Sequence, residues 1–207
     1  PERVTRLSRG EADGGDMAKG APGIPCFVTG TVRGLDGRPV GGALLDLWQT
    51  DGEGLYEAQR GTQDAWMRGL YRSNPDGSYT VRTVAPIGYT IPMDGPIGEL
   101  VYRTRISHMR PAHIHFHIAA PGHRSVTTHL FQKGDPYIDT DVVFGVKEPL
   151  IVEFVQKPAG SKAPNGAVMT VPPSLASSDL EYCVTAVVKS IPSLRAWYAS
   201  SPCSSRS

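Results

Sequence analysis

The stretch that decides the fold is Arg110-Pro-Ala-His113-Ile-His115-Phe-His117. Successive side chains of an extended strand point to opposite faces, so this spacing places His113, His115 and His117 on one face. Two imidazoles at positions i and i+2 can reach one metal ion, and imidazole is the commonest metal ligand in proteins. Taken alone, the pattern fits a metal site and a polar strand face equally well. We interpret His117 as structural, with its imidazole hydrogen-bonded to backbone.

Short β-branched runs recur along the chain and alternate with Asp-Gly turn signals. The predicted strands are Phe27–Val32, Leu44–Trp48, Tyr79–Val84, His113–Ala119, Val126–Phe131, Ile151–Val155 and Leu180–Val188. Asp-Gly pairs at 36–37, 51–52, 76–77 and 94–95 tolerate the left-handed backbone angles of turns between strands. The 18 prolines disfavour long helices. The sequence therefore predicts an all-β fold, a β-sandwich with long ordered loops.

The length of 207 residues suits one domain with a sizeable core. Residues 1–24 are polar and rich in glycine, and we predict an amino-terminal arm there. The β-sandwich domain is predicted to cover residues 25–190. Residues 191–207 are predicted to form a disordered tail.

Composition limits the possible partners. The 21 basic and 20 acidic residues leave a net charge of +1, so no overall field attracts nucleic acid or an anionic membrane, and a small molecule fits better. The three cysteines are odd in number and far apart, which argues against a disulfide framework and favours the reducing cytoplasm. No apolar run approaches the roughly 20 residues of a membrane span. The sequence begins at Pro1, so an upstream targeting segment, and with it secretion, stays open.

The residues near the histidines bear on the kind of metal. No cysteine or obvious carboxylate stands beside them to complete a zinc site or the two-histidine, one-carboxylate site of ferrous oxygenases. Tyr56 and Tyr89, both in turn contexts, are hard-oxygen candidates, and a phenolate ligand favours ferric iron. On spacing alone, each tyrosine fits a core or turn position better than a ligand position.

Several further motifs occur in a fixed order. They are Gly30-Thr-Val, Asp36-Gly-Arg-Pro-Val-Gly-Gly-Ala43, Asp46-Leu-Trp-Gln-Thr-Asp-Gly-Glu-Gly-Leu-Tyr56, Asp76-Gly-Ser-Tyr79, Pro86-Ile-Gly-Tyr89-Thr-Ile-Pro-Met-Asp-Gly-Pro96, Arg110-Pro-Ala-His-Ile-His-Phe116 and Thr127-Thr-His-Leu-Phe131. Each is weak by itself, but together they resemble the ferric intradiol dioxygenases, which include catechol, chlorocatechol and hydroxyquinol 1,2-dioxygenases and protocatechuate 3,4-dioxygenase. The resemblance covers about residues 24–156.

This resemblance implies a set of site residues. Tyr56 and His113 correspond to equatorial ligands of Fe(III), and Tyr89 and His115 to axial ligands, with hydroxide as the fifth ligand. Arg110 corresponds to a guanidinium that lies against the bound aromatic substrate, where the alternative is a surface salt bridge. His129, Val142 and Val143 correspond to substrate-binding positions, although core packing explains the two valines nearly as well. Histidine at position 129 favours hydroxyquinol over catechol.

The resemblance also implies the reaction. A catechol-type diol is cleaved by O2 between its two hydroxyl-bearing carbons, which gives a muconate-type diacid, and Tyr89 acts as both ligand and proton acceptor. Catechol-branch members begin with a helical region that forms a dimer contact, and a following segment supplies one wall of the substrate pocket. Neither is recognisable in this sequence, and a homodimer stays open.

Two other functions compete with this one. A non-catalytic β-sandwich binding module is possible because the scaffold resembles transthyretin-like folds, and a fold does not specify a function. A zinc-dependent hydrolase built on the His-X-His strand would need a third protein ligand and no phenolates.

Overall fold

A computed structural model of the chain describes residues 10–61, 66–158, 160–162, 166 and 168, together with the backbone of 182–188. The elements are β1 (Pro25–Thr31), β2 (Leu44–Trp48), β3 (Arg68–Arg72), β4 (Ser78–Val84), β5 (Tyr89–Thr90), α1 (Gly95–Thr104), β6 (Met109–Arg110), β7 (His113–Ala119), β8 (Val126–Gln132), β9 (Ile151–Val152), β10 (Phe154–Pro158) and β11 (Tyr182–Val188). Short 3-10 turns lie at Glu57–Arg60, Ile138–Thr140 and Glu148–Leu150. No helix in the described ranges is long and apolar enough to cross a membrane.

The strands form the predicted β-sandwich. One sheet has four strands in the order β10-β11-β1-β4, and the other has five in the order β3-β2-β7-β8-β9. Strands β5 and β6 form a separate antiparallel pair in which Tyr89 lies opposite Arg110. This small pair brings two predicted site residues together before any side chain is considered.

The core lies between the two large sheets, and β7 shows why. Its residues Ile114, Phe116 and Ile118 are buried in the core, while the intervening histidines face away from it. One face of the strand therefore packs in the core and the other carries the histidines, as the alternating sequence predicts. Partners in the core from β1, β2, β4 and β8 include Val28, Leu45, Leu47, Val81 and Leu130.

The described part of the predicted arm, residues 10–24, contains no helix or strand and packs against the domain. Gly10 and Asp16 form isolated bridges to Leu70 and Arg82. Met17 is fully buried in the core. Met17 is one of a few scattered apolar residues in a polar segment, which give no periodic signal, so its burial could not be predicted from the sequence pattern.

Several element predictions were wrong. The run Arg68–Arg72 forms β3 at the edge of the five-stranded sheet, where no strand was predicted. Asp94-Gly95 was predicted as a turn between strands, but Asp94 is the N-cap of α1 and Gly95 its first residue. The helix tolerates Pro96 because a proline in the first turn loses no intrahelical hydrogen bond. The turn around Asp51 has its left-handed residue at Gly54.

The predicted strand Ile151–Val155 is divided at Glu153, and its two parts belong to different sheets. β9 pairs with β8, whereas β10 pairs with β11. The predicted strand at 180–188 is present as β11, which runs parallel to β1. The predicted tail at 191–207 lies outside the described residues.

Candidate metal centre

The centre is built on the outward face of β7 and its neighbour β8. The antiparallel register places His129 of β8 directly opposite His115. Nitrogen atoms of His113, His115 and His129 all lie within 4.8 Å of one another. The third imidazole of the cluster is therefore His129, while His117 faces Thr127 and Asp46 further along the strands.

His117 was predicted to hydrogen-bond to backbone, but its partner is a side chain. Its Nδ1 lies 2.8 Å from the Thr127 hydroxyl, so the imidazole bonds to a side chain and not to backbone. The cross-strand register supplies this partner because His117 and Thr127 lie opposite each other.

Two tyrosines complete the cluster from different loops. Tyr56 precedes a 3-10 turn after β2, and its Oη lies 2.8 Å from Tyr89 Oη and 3.0 Å from His115 Nε2. Tyr89 Oη lies 3.4 Å from His113 Nε2, and the two histidine Nε2 atoms are 3.1 Å apart. All four residues predicted as ligands thus meet at one point.

The Arg110 guanidinium also reaches this cluster, and each of its three nitrogen atoms has a different hydrogen-bonding situation. Nη1 lies 3.0 Å from His113 Nε2, and Nε donates to Asp141 Oδ1 at 3.1 Å. Nη2 is buried and has no hydrogen-bond partner among the described residues. The alternative of a surface salt bridge is excluded, because Arg110 and Asp141 are both buried.

A second layer of residues supports the ligand-type side chains. The Trp48 ring stacks on the His115 imidazole, with centroids 4.7 Å apart and planes 5° from parallel. The Arg68 guanidinium lies 5.7 Å from the centre of the same indole ring and pairs with Glu57 at 2.5 Å. Because Glu57 follows Tyr56 in the chain, Arg68 links the segments that carry Tyr56 and His115. None of the three residues Trp48, Arg68 and Glu57 was predicted from the sequence to belong to the site.

The local environment keeps the imidazoles neutral. Burial, with a further contribution from Arg110, lowers the pKa of His113 to about 3 and that of His129 to about 4. Burial and the neighbouring His113 hold the pKa of His115 far below its ordinary value. Burial and Tyr89 raise the pKa of the Tyr56 phenol. The metal-free site therefore contains uncharged imidazoles and a protonated Tyr56.

The lone pairs of the clustered nitrogen and oxygen atoms are better satisfied by a cation than by hydrogen bonds among these atoms. The Nδ1–H of His113 donates to the Pro111 carbonyl oxygen at 2.7 Å, so Nε2 of the neutral ring carries the lone pair. Three groups approach this one lone pair: Arg110 Nη1, Tyr89 Oη and His115 Nε2. It can accept from one of them. A cation among these atoms would take the lone pairs of all four ligand-type residues, and its charge would favour the Tyr56 phenolate.

The lowered pKa values predict how pH affects the metal-free protein. An unfolded histidine has a pKa of about 6.5, so between pH 6.5 and 4 the unfolded chain binds more protons than the folded chain. The melting temperature should therefore fall as pH is lowered from 7 to 5. Replacing His129 by Gln should make this fall shallower, because the variant lacks one imidazole whose pKa is lowered by folding. Equal slopes in the wild-type protein and the variant would contradict the lowered pKa of His129.

Comparison with known proteins gives the family. A family model described as Dioxygenase matches residues 5–170. The chain belongs to the intradiol dioxygenase family. It is 47% identical over 151 residues to the 6-chlorohydroxyquinol 1,2-dioxygenase of Cupriavidus pinatubonensis, covering 72% of this chain and 55% of that protein. It is 42% identical over 167 residues to the hydroxyquinol 1,2-dioxygenase of Nocardioides simplex, covering 81% of this chain and 57% of that protein.

Solved structures of intradiol dioxygenases have the same fold. The hydroxyquinol 1,2-dioxygenase of Pseudomonas putida superposes with a TM-score of 0.77 at 39% identity, over 88% of this chain and 60% of that one. The chain therefore spans little more than half the length of the relatives that it matches. Intradiol dioxygenases generally use non-haem iron, and the cluster of histidines and tyrosines agrees with that class of metal site.

The cluster also bears on the zinc alternative. His129 supplies the third protein ligand that a zinc hydrolase would require. Two phenol oxygens, however, lie in the same cluster, and Tyr56 Oη is in contact with His115 Nε2. Phenol oxygens are not among the usual ligands of zinc. The membership of the family and the two tyrosines together favour iron.

Proposed function

We propose that this chain holds ferric iron through Tyr56, Tyr89, His113 and His115 and that it cleaves a catechol-type diol with O2 between its two hydroxyl groups. The product would be a muconate-type diacid. The observation that carries the proposal is the meeting of two phenol oxygens and two imidazole nitrogens within contact distance of one another. Beside them lies the buried Arg110 guanidinium, one nitrogen of which has no hydrogen-bond partner in the described part of the chain.

Bound ferric iron would act as a Lewis acid toward the diol. It would draw electron density from the aromatic ring, so that the ring can react with O2. The protein residues supply the rest. Tyr89 is the proton acceptor, because its phenolate oxygen can take a proton from a diol hydroxyl. Tyr56 Oη lies 2.8 Å from Tyr89 Oη and can accept a hydrogen bond from Tyr89 once Tyr89 is protonated.

Arg110 stabilises the negative charge that develops on the substrate oxygens. Its Nη2 has no partner among the described residues, and Nη1 becomes available once the His113 lone pair is used by a cation. Donors held in place by buried ion pairs stabilise such charge without having to reorganise during the reaction. The ion pair with Asp141 holds the guanidinium in this way.

The substrate pocket is proposed to include His129, Val142 and Val143. The His129 ring lies 4.4 Å from the His115 ring, so it borders the metal-binding atoms. Val142 and Val143 follow Asp141 directly and are half-buried and 50% exposed, respectively. Apolar side chains at this point would contact the aromatic ring. O2 and a small aromatic diol are the partners; assembly as a homodimer and a cytoplasmic location stay predictions.

The test uses the iron-loaded protein under anaerobic conditions. Phenolate bound to ferric iron gives visible colour, and catechol, hydroxyquinol or protocatechuate should shift this band on binding. Oxygen is then admitted and the products are identified by mass spectrometry. A cleaved diacid that contains both oxygen atoms of labelled O2 supports the proposal. A protein that stays colourless and iron-free after growth with iron would instead favour the non-catalytic binding module.

His129 predicts the choice of substrate. Unlike an amide, its imidazole can donate to or accept from a third ring hydroxyl as the tautomer requires. When a substrate lacks that hydroxyl, the imidazole is left without a hydrogen-bond partner, so the site discriminates against that substrate. We expect hydroxyquinol to be turned over at least as well as catechol, in agreement with the relatives named for hydroxyquinol. Protocatechuate is expected to be a poor substrate, since the sequence predicted no further basic residue that would receive its carboxylate.

The corresponding variant is His129→Gln, which should narrow or reverse the preference for hydroxyquinol. The ratio of kcat/KM for the two diols is the measurement, with His123→Gln as the exposed control. If the wild-type protein strongly prefers catechol and the variant keeps the same ratio, His129 does not select the substrate.

A further inference from the structure

A buried carboxylate outside the metal-binding atoms links two parts of the site. Asp141 is 4% exposed, and its Oδ1 accepts the bond from Arg110 Nε. The same oxygen lies 3.4 Å from Val143 N, and Oδ2 accepts from Gly145 N at 2.8 Å. One side chain therefore binds both the guanidinium and the backbone of the loop at residues 142–145.

This loop has little other support in the described part of the chain. Phe144 N donates to the Asp141 carbonyl oxygen at 2.9 Å, and Val142 N donates to the Met109 carbonyl oxygen at 3.1 Å. Phe144 adopts a φ of 54°, a left-handed angle that is unfavourable for a bulky side chain, and its ring is 83% exposed. Packing of the ring does not hold this conformation, so the bonds to Asp141 must largely do so.

The loop and the guanidinium are also in close contact. A Cβ atom placed on Gly145 would lie 3.5 Å from Arg110 Nη2 and 3.2 Å from Asp141 Oδ2. The only described nitrogen of Arg110 without a partner therefore lies against this loop. A displacement of the loop would change the space in front of Nη2.

We propose that Asp141 is a positioning residue that fixes Arg110 and the 142–145 loop as one unit. Asp141 thereby fixes the positions of both the Arg110 guanidinium and the apolar pocket wall formed by Val142 and Val143. Its effect on catalysis rests on the proposed function, whereas its effect on Arg110 and on the loop does not. An amide cannot replace the carboxylate, because one oxygen would have to serve the N–H groups of Arg110, Val143 and Gly145.

The first test is made on the metal-free protein, by NMR of the Arg110 Nε–H group. Arg110→Lys identifies this signal by its disappearance. In Asp141→Asn the Nε–H group should exchange with water about tenfold faster or more, the factor expected from losing one hydrogen bond to a charged group. The control is Asp76→Asn, which alters an exposed aspartate that accepts from the backbone N–H two residues later, as Asp141 does, but binds no arginine.

The second test is made on the iron-loaded protein. Asp141→Asn should keep its iron and its resting colour but lower kcat by on the order of 10–100-fold, because a misplacement of roughly 1 Å can cost about that much. The ratio of hydroxyquinol to catechol turnover should change as well, since the valine wall moves with the loop. In an Arg110→Ala background the loss of kcat from Asp141→Asn should largely disappear, whereas a merely structural effect would add to it.

The outcomes separate this inference from the proposed function. Unchanged Arg110 Nε–H exchange in a folded Asp141→Asn protein would overturn the inference, and so would additive losses in the double variant. If Asp141→Asn does not fold, the wild-type signal decides: exchange as fast as that of the exposed Arg124 overturns the inference, and slow exchange supports it. If the wild-type protein cleaves no diol, the proposed function fails, and the metal-free NMR comparison still decides the role of Asp141.

Discussion

Tyr56→Phe and His113→Ala are each expected to abolish the coloured ferric centre. Each change removes one of the four proposed ligand atoms and leaves three. Arg110 offers no lone pair, and His129, the remaining imidazole of the cluster, is proposed to bind the substrate and not the metal. The phenylalanine ring keeps the edge contact with Tyr89, at 5.6 Å between ring centroids, so packing is largely preserved. The measurements are iron per chain and visible absorbance after growth with iron.

Matched controls make this result specific. Tyr102→Phe removes a hydroxyl from a side chain that is 80% exposed on α1, and His123→Ala removes an exposed imidazole. Both should keep full iron content and colour. Full colour in either Tyr56→Phe or His113→Ala would refute the ligand assignment. Tyr89→Phe should differ by losing turnover more than iron, because Tyr89 is proposed to accept a proton from the diol in addition to its role as a ligand.

Arg110→Ala is expected to keep iron and colour but to lower the rate of the oxygen-dependent step by on the order of 10²–10³, the usual cost of losing one preorganised charge-stabilising donor. Stopped-flow mixing of the anaerobic substrate complex with O2 measures this step directly. The change also leaves Asp141 without its cation, and the loss of one partner of a buried ion pair destabilises a protein by roughly 3–5 kcal/mol. A lower melting temperature should therefore accompany the slower rate.

The control for this variant is Arg124→Ala, at an exposed position on the loop between β7 and β8. It should change neither the rate nor the melting temperature. A normal oxygen step in folded Arg110→Ala would mean that Arg110 serves only the ion pair with Asp141. The two measurements together therefore separate the catalytic role of Arg110 from its structural role.

The fold class and the residues that meet in the cluster could largely be predicted from local sequence patterns. The alternation of β7 assigned one face to the core and the other to the histidines, because strand periodicity is a local property. The ordered motifs identified Tyr56, Tyr89, His113, His115 and Arg110, which do meet in space. Their roles as ligands and as charge-stabilising donor stay predictions that the variants above test.

Other features depended on the tertiary structure. Periodicity placed His117 beside the other two histidines, but the register between β7 and β8 brings His129 to the cluster and gives His117 to Thr127. Register is set by long-range pairing, which a single strand does not encode. The buried partner of Arg110 lies 31 residues away, and only the folded loops show that it is Asp141. Local patterns thus specify which face a residue occupies, whereas its partner across a strand or a loop is decided by the packing of the whole domain.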